Sequence, residues 1–164
     1  MSTLERIQKE HVEWSTRNFP GRPSWQPLLG ICEELGELVG SINHEEQRDA
    51  IGDVVIFAID YCNAMGWDVE SVFDRRISHR PSASAMSNLL FHVGKLQHCY
   101  LKAMQRIRGN ASEHEANGKH ALGSLFAELE IVAGGTQAFL NCVDDTWETV
   151  KKRDWVKHRA EAAT

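Results

Sequence analysis

Proline is scarce and confined: all four lie at positions 20, 23, 27 and 81, leaving 28–80 and 82–164 free of the residue that breaks helices. Basic residues are outnumbered, with 18 Lys and Arg against 23 Asp and Glu, for a net charge of −5. That balance excludes the broad cationic surface on which counterion-driven binding to nucleic acid depends. No long hydrophobic run occurs. The most apolar stretch, Val54 to Ala58, is far short of the ~20 residues that span a bilayer, and Met1 to Arg6 has no apolar signal core, so a cytoplasmic protein without membrane or nucleic-acid partners is expected. The four cysteines, Cys32, Cys62, Cys99 and Cys142, never form CxxC and sit in apolar surroundings, which predicts reduced core thiols in place of a disulfide frame or zinc site.

What remains is dominated by helical periodicity. In 28–43, Leu28, Ile31, Leu35, Leu38, Val39 and Ile42 recur at three- and four-residue spacing, and 46–65 repeats the pattern through Ile51, Val54, Val55, Ala58, Ile59 and Cys62, with Gly66 as the stop. A third helix is expected from about Asp68 to Ile77. Beyond a linker beginning at Pro81, Leu89, Leu90, Val93, Leu96 and Tyr100, then Leu122, Leu125, Leu129 and Val132, keep the same period. Residues 18–27, with three prolines and a glycine, read as a connector flanked by helices. The fold class is all-α, a helical bundle.

The halves carry a weak internal repeat. Leu35-Gly36-Glu37-Leu38 aligns with Val93-Gly94-Lys95-Leu96, and Ala50-Ile51-Gly52-Asp53 with Ala121-Leu122-Gly123-Ser124. Between the copies the polar residues change as a set: Glu34, Glu37, Asp49 and Asp53 stand opposite His92, Lys95, His120 and Ser124. This divides the chain into an acidic unit, 1–80, and a non-acidic unit, 81–164, packed as one core.

The acidic unit is locally uncompensated. No Lys or Arg lies between Arg22 and Arg48, while Glu33, Glu34, Glu37, Glu45 and Glu46 do. At ~100° per residue Glu34 and Glu37 border the apolar stripe of their helix, and Asp49, Asp53, Asp60 and Asn63 line one side of the next, beside Ile56 and Phe57. Antiparallel packing through a turn at 41–46, eased by Gly36 and Gly52, would face the two lines. Carboxylates ~5 Å apart repel by about 3 kcal/mol at an effective dielectric of ~20, so such a cluster calls for protons or a cation. Oxygen-only ligands favour a hard ion, Mg²⁺ with Mn²⁺ as substitute, shared with substrate phosphates. A Glu-rich helix alone is usually a solvated face; the coupling of EExxE to a downstream DxxxD is what carries the metal reading.

Glu33-Glu34-Leu-Gly-Glu37 followed by Asp49-Ala-Ile-Gly-Asp53 resembles the EExxE and ExxD signature of the MazG-like all-α nucleoside triphosphate pyrophosphohydrolases. The flanks Trp25–Gly30 and Trp147–Trp155 are similar to phage and bacterial members. The resemblance implies Mg²⁺-dependent hydrolysis of (d)NTP to monophosphate and pyrophosphate. It implies Glu34, Glu37 and Asp53 as metal ligands, with Glu33 as a further ligand or the carboxylate that orients water. The chain departs from the signature at Ala50, where the family has Glu; Asp49, one turn before Asp53, is the candidate to supply the missing ligand oxygen. Lys102, Arg106 and Arg108, or Lys95, are candidates for a pyrophosphate clamp. Trp14, Trp25 and Asn63 are candidates for base contact, Trp147 and Trp155 for helix packing, and the eight histidines for surface or repeat-remnant positions. A homodimer is expected from the family's assembly habit and from the prevalence of C2 pairs. The alternative function is a non-catalytic nucleotide- and metal-binding module.

Overall fold

A computed structural model describes residues 1–75 and 84–158. Among them there are eight α-helices and no strand: α1 (Thr3–Asn18), α2 (Trp25–Gly40), α3 (His44–Met65), α4 (Val69–Phe73), α5 (Ala85–Gln105), α6 (Ala111–Ala133), α7 (Thr136–Val150) and α8 (Trp155–His158). None is long and apolar enough to cross a membrane. The boundaries follow local chemistry. Ser2, Asn43, Asp68, Ser84 and Asn110 each accept a backbone N–H from the first turn of the helix that follows. Asn110 and Glu113 complete a reciprocal capping box. At the other ends, Gly66 and Gly134 take left-handed φ values of 69° and 91°, conformations that cost glycine little.

The helices associate as two hairpins, α2 with α3 and α5 with α6, and α7 crosses α3 while α1 lies against α3, α4 and α7. One continuous core joins them, running from Leu4 and Ile7 of α1 through Ile51, Val55 and Ile59 of α3 to Leu122, Phe126, Phe139 and Trp147. The close crossings rest on two glycines. A Cβ at Gly52 would collide with the Thr146 side chain and stand 2.9 Å from the Cys142 carbonyl oxygen of α7, and one at Gly30 would enter the Phe57 ring. Gly52 therefore serves the α3–α7 contact, and Gly36, with open space around it, serves no close approach. The expectation that Gly36 and Gly52 bring α2 and α3 together is corrected to Gly30.

The connector is also shorter than its prolines suggest. Pro27 sits in the first turn of α2, where its missing N–H would have had no intrahelical partner. The third helix is only five residues, and its expected end at Ile77 and the start of the linker at Pro81 lie outside the described residues. The paired repeat anchors fall on α2 and α5 and on α3 and α6, the two members of each hairpin. Cys62, Cys99 and Cys142 are buried free thiols and Cys32 is half-buried, in line with the core reading.

Candidate functional site

The α2–α3 hairpin sets the acidic residues in antiparallel register. Glu37 and Asp49 line one shallow hollow of about 300 Å³, Glu34 and Asp53 share the next cleft along, and Gly30 meets Phe57 beyond it. Glu33, Glu37 and Asp49 are exposed, whereas Glu34 and Asp53 are half-buried at the helix junction. Burial raises the Glu34 carboxyl to about 7, helped by the negative charge of Asp53, Glu37, Glu33 and Asp49. Burial likewise raises Asp53 to about 6, with Asp49 and Glu37 adding repulsion and Arg153 opposing it. Glu34 and Glu37 do face Asp53 and Asp49, whereas Asp60, further along α3, is paired with Arg22.

The cleft holding Glu34 and Asp53 has a volume of about 360 Å³ and runs from that acidic end toward the C-terminal half of α3. Its walls are aromatic and aliphatic, including Trp14, Phe19, Phe57 and Trp155, and two arginines, Arg22 and Arg153, belong to its lining. A larger open hollow of about 580 Å³ between α3 and α7 includes Asp49 but is crossed by the Arg48–Asp145 ion pair at 2.9 Å and has no aromatic wall.

Each cleft element is tied in place. Arg22, from the loop between α1 and α2, pairs with Asp60 of α3 and lies over the Phe19 ring at 5.4 Å. Burial lowers the Arg22 guanidinium to about 10, still protonated at neutral pH. His11 Nδ1 lies 3.7 Å from Asp60 Oδ1, yet burial first, and Arg22 second, push its imidazole down to about 3, so it is neutral. The segment after α7 is strapped onto α1. Trp14 Nε1 donates to the Arg153 carbonyl at 3.1 Å, and the Trp155 backbone N–H donates to Asn18 Oδ1 at 2.8 Å. Those two bonds bring Arg153 and Trp155 to the cleft.

Several expected residues sit elsewhere. Trp25 is nine positions from Glu34, on the opposite face of α2, and is 46% exposed outside the cleft. Asn63 is within 3.4 Å of the Gln8 carbonyl and His11 Nδ1, a tie between α3 and α1 that does not line the cleft. Lys102 donates to Gln105, and Arg106, at φ 55°, terminates α5; neither lines the cleft. Trp147 is fully buried and donates to Glu10 Oε2 at 2.6 Å, a packing role as expected, but Trp155 belongs to the cleft wall. The histidines are not all peripheral: His11 and His114 are buried. Arg22, Arg153 and His11 were not among the site candidates. The pointer to Arg22 was its setting in Pro20-Gly-Arg-Pro23, a stiff turn directly before the acidic helix. Nothing local distinguishes Arg153 among its basic neighbours.

As for metal, no three of the described His, Cys, Asp or Glu side chains converge into a ready cage. Donor chemistry nevertheless fits a hard divalent ion: carboxylate oxygens only, mutually repelling, and without Lys or Arg between Arg22 and Arg48. Ala50, where a further carboxylate would stand in the signature, is buried in the core. Comparison with family models, curated proteins and solved structures gives no match to this chain.

Proposed function

We propose that the chain is a Mg²⁺-dependent nucleoside triphosphate pyrophosphohydrolase, converting a (d)NTP to its monophosphate and pyrophosphate. The observation that carries this reading is the composition of one cleft: Glu34 and Asp53 at one end, Arg22 and Arg153 within it, and Trp14, Phe19, Phe57 and Trp155 around it. A nucleotide needs all three, since carboxylates hold the cation that accompanies its phosphates, guanidiniums bind phosphate oxygens, and flat apolar walls take the base.

Glu34, Glu37, Asp53 and Asp49 would hold the ion, which when bound neutralises phosphate charge and polarises the attacked phosphorus. Arg153, whose positive charge opposes the rise in the Asp53 pKa, would bind phosphate oxygens beside the acidic end. Glu33, next to Glu34 on α2, would orient a water whose oxygen bonds to the α-phosphorus as the bond from that phosphorus to the bridging oxygen breaks. Pyrophosphate leaves with that oxygen, and the water's proton passes to a carboxylate and then to solvent.

The proposal is tested by incubating the protein with a panel of (d)NTPs and Mg²⁺ and measuring monophosphate and pyrophosphate. Turnover is expected, and Glu37→Gln and Asp53→Asn each reduce it at least a hundredfold with the circular dichroism unchanged; no turnover across the panel refutes it. A second reading, a nucleotide-binding module without turnover, is favoured by one observation. Ala50 faces the core and Asp49 is exposed, so the replacement oxygen does not occupy the site of the missing one. Nucleotide binding without hydrolysis would select that reading. Descent of the two hairpins from one duplicated unit and assembly as a homodimer are further parts of the proposal, the latter read directly by sedimentation.

A further inference from the structure

The cleft lining includes a polar group that the hydrolytic scheme leaves unused. Asp60 lines the cleft, its side chain is 3% exposed, and only one of its oxygens is engaged: Oδ1 meets Arg22 and faces His11, whereas Oδ2 is buried with no hydrogen-bond partner. A buried carboxylate oxygen without a donor is costly, and such groups in folded proteins are kept where a ligand or water supplies the bond. Asp60 lies seven residues beyond Asp53 on the same helix, a rise of about 10.5 Å, close to the length of a nucleoside. Trp14, Phe19 and Phe57 stand beside it. A nucleotide whose phosphates meet Arg153 at the Asp53 end therefore brings its base edge to Asp60 and Arg22.

We propose that Asp60 is a specificity-determining residue that accepts a hydrogen bond from an amine on the nucleobase, selecting cytosine, adenine or guanine over uracil and thymine. The inference rests on the nucleotide reading of the cleft. Its chemistry is a matched pair, because Arg22 offers donors to a ring nitrogen or carbonyl while Asp60 Oδ2 accepts from the neighbouring N–H. Uracil and thymine present their one ring N–H between two carbonyl oxygens, and a carboxylate repels both. A site that buries its hydrogen-bonding group discriminates strongly against ligands that leave it unpaired.

The test is equilibrium binding, in Mg²⁺, of nucleoside monophosphates, which carry no α–β bond to hydrolyse and so need no turnover. Wild-type protein is expected to bind dCMP at least tenfold more tightly than dUMP, and the deoxynucleotide of pyrimidin-2-one, which lacks the 4-amino group, as weakly as dUMP. In Asp60→Asn the dCMP preference falls to within about threefold. Equal affinities in the wild type, tighter dUMP, no binding of either at millimolar concentration, or an undiminished preference in Asp60→Asn overturns the proposal. Because the pyrimidin-2-one comparison uses wild-type protein, failure of the variant to fold leaves a decisive measurement. A dCMP preference without hydrolysis of any triphosphate would sink the enzyme reading and keep this one, and hydrolysis without base preference would do the reverse.

Discussion

Replacing Glu34 with glutamine should stabilise the metal-free protein at neutral pH. The Glu34 carboxyl moves from 4.5 to about 7 and that of Asp53 from 3.8 to about 6, in both cases first through burial and then through neighbouring carboxylates. An acid whose pKa is raised by folding is protonated in the native state where the unfolded chain has already released its proton. Its contribution is therefore most favourable below pH 4, declines as pH rises through about 4 to 7, and is flat and unfavourable above. Each pKa unit corresponds to about 1.36 kcal/mol, but both side chains are only half-buried, and solvent screening reduces the penalty to roughly 1 kcal/mol apiece. At ~2–4 °C per kcal/mol for a chain of this size, Glu34→Gln should melt about 2–4 °C above wild type at pH 8 in EDTA, and the two curves should meet near pH 4. The difference matters more than either curve. His11, held down at about 3, loses stability as pH falls below the unfolded value of 6.5 and bends both profiles the opposite way, and it cancels in the subtraction. Mg²⁺ reverses the order, because a bound cation favours the ionised carboxylates: saturating Mg²⁺ at a hundred times its Kd adds about 2.7 kcal/mol to the wild type and much less to the variant. A variant no more stable than wild type at pH 8, or equal Mg²⁺ shifts in both, would refute the view that these acids are held together at a cost which a cation relieves.

Gly52→Ala inserts a methyl group against Thr146 and the Cys142 carbonyl, and overpacking of this kind should cost about 1–3 kcal/mol in a urea titration without loss of helical signal. Asn110→Ala removes one half of the capping box and should lower stability by about 1 kcal/mol, read as a fall in the melting temperature; no change would mean that the start of α6 is held by packing alone. Trp147→Phe deletes the indole donor to Glu10, a bond to a charged acceptor worth about 1.5–3 kcal/mol. That bond is the main reason the Glu10 carboxyl lies below its ordinary value, so its stabilising effect is present above that value and is lost as pH falls through the native pKa. The variant should accordingly show a shallower acid limb, and a Glu10 carboxyl resonance that titrates higher.

The helices were legible because their apolar residues repeat at helical spacing over long proline-free stretches, and the α2–α3 hairpin was legible because its acids border those same stripes. Glu34 and Asp53 could thus be placed together from local periodicity and one short turn. Misplaced residues belong to interactions between remote elements. Gly30 looks no different from Gly36 in sequence, and only the position of Phe57 decides which of them takes the close contact. Trp25 opens the acidic helix, yet nine residues of helical rotation turn it away from Glu34.

The basic side of the cleft illustrates the same limit from the other direction. Lys102, Arg106 and Arg108 drew attention because they cluster in sequence, but clustering of like charge is a property of solvated surfaces, where repulsion is screened. Cations that work in a half-buried site are spaced apart and individually fixed. Arg22 is held by Asp60 across 38 residues, and the Arg153 backbone by Trp14 across 139. The negative net charge is therefore only part of the description of the cleft, in which Glu34 and Asp53 share the lining with Arg22 and Arg153, and Arg22 is already engaged by Asp60. Removing the Trp14 indole N–H would separate the two aspects of that design: the acidic pair and its pH dependence would remain, while the strap that carries Arg153 and Trp155 would loosen and nucleotide affinity would fall.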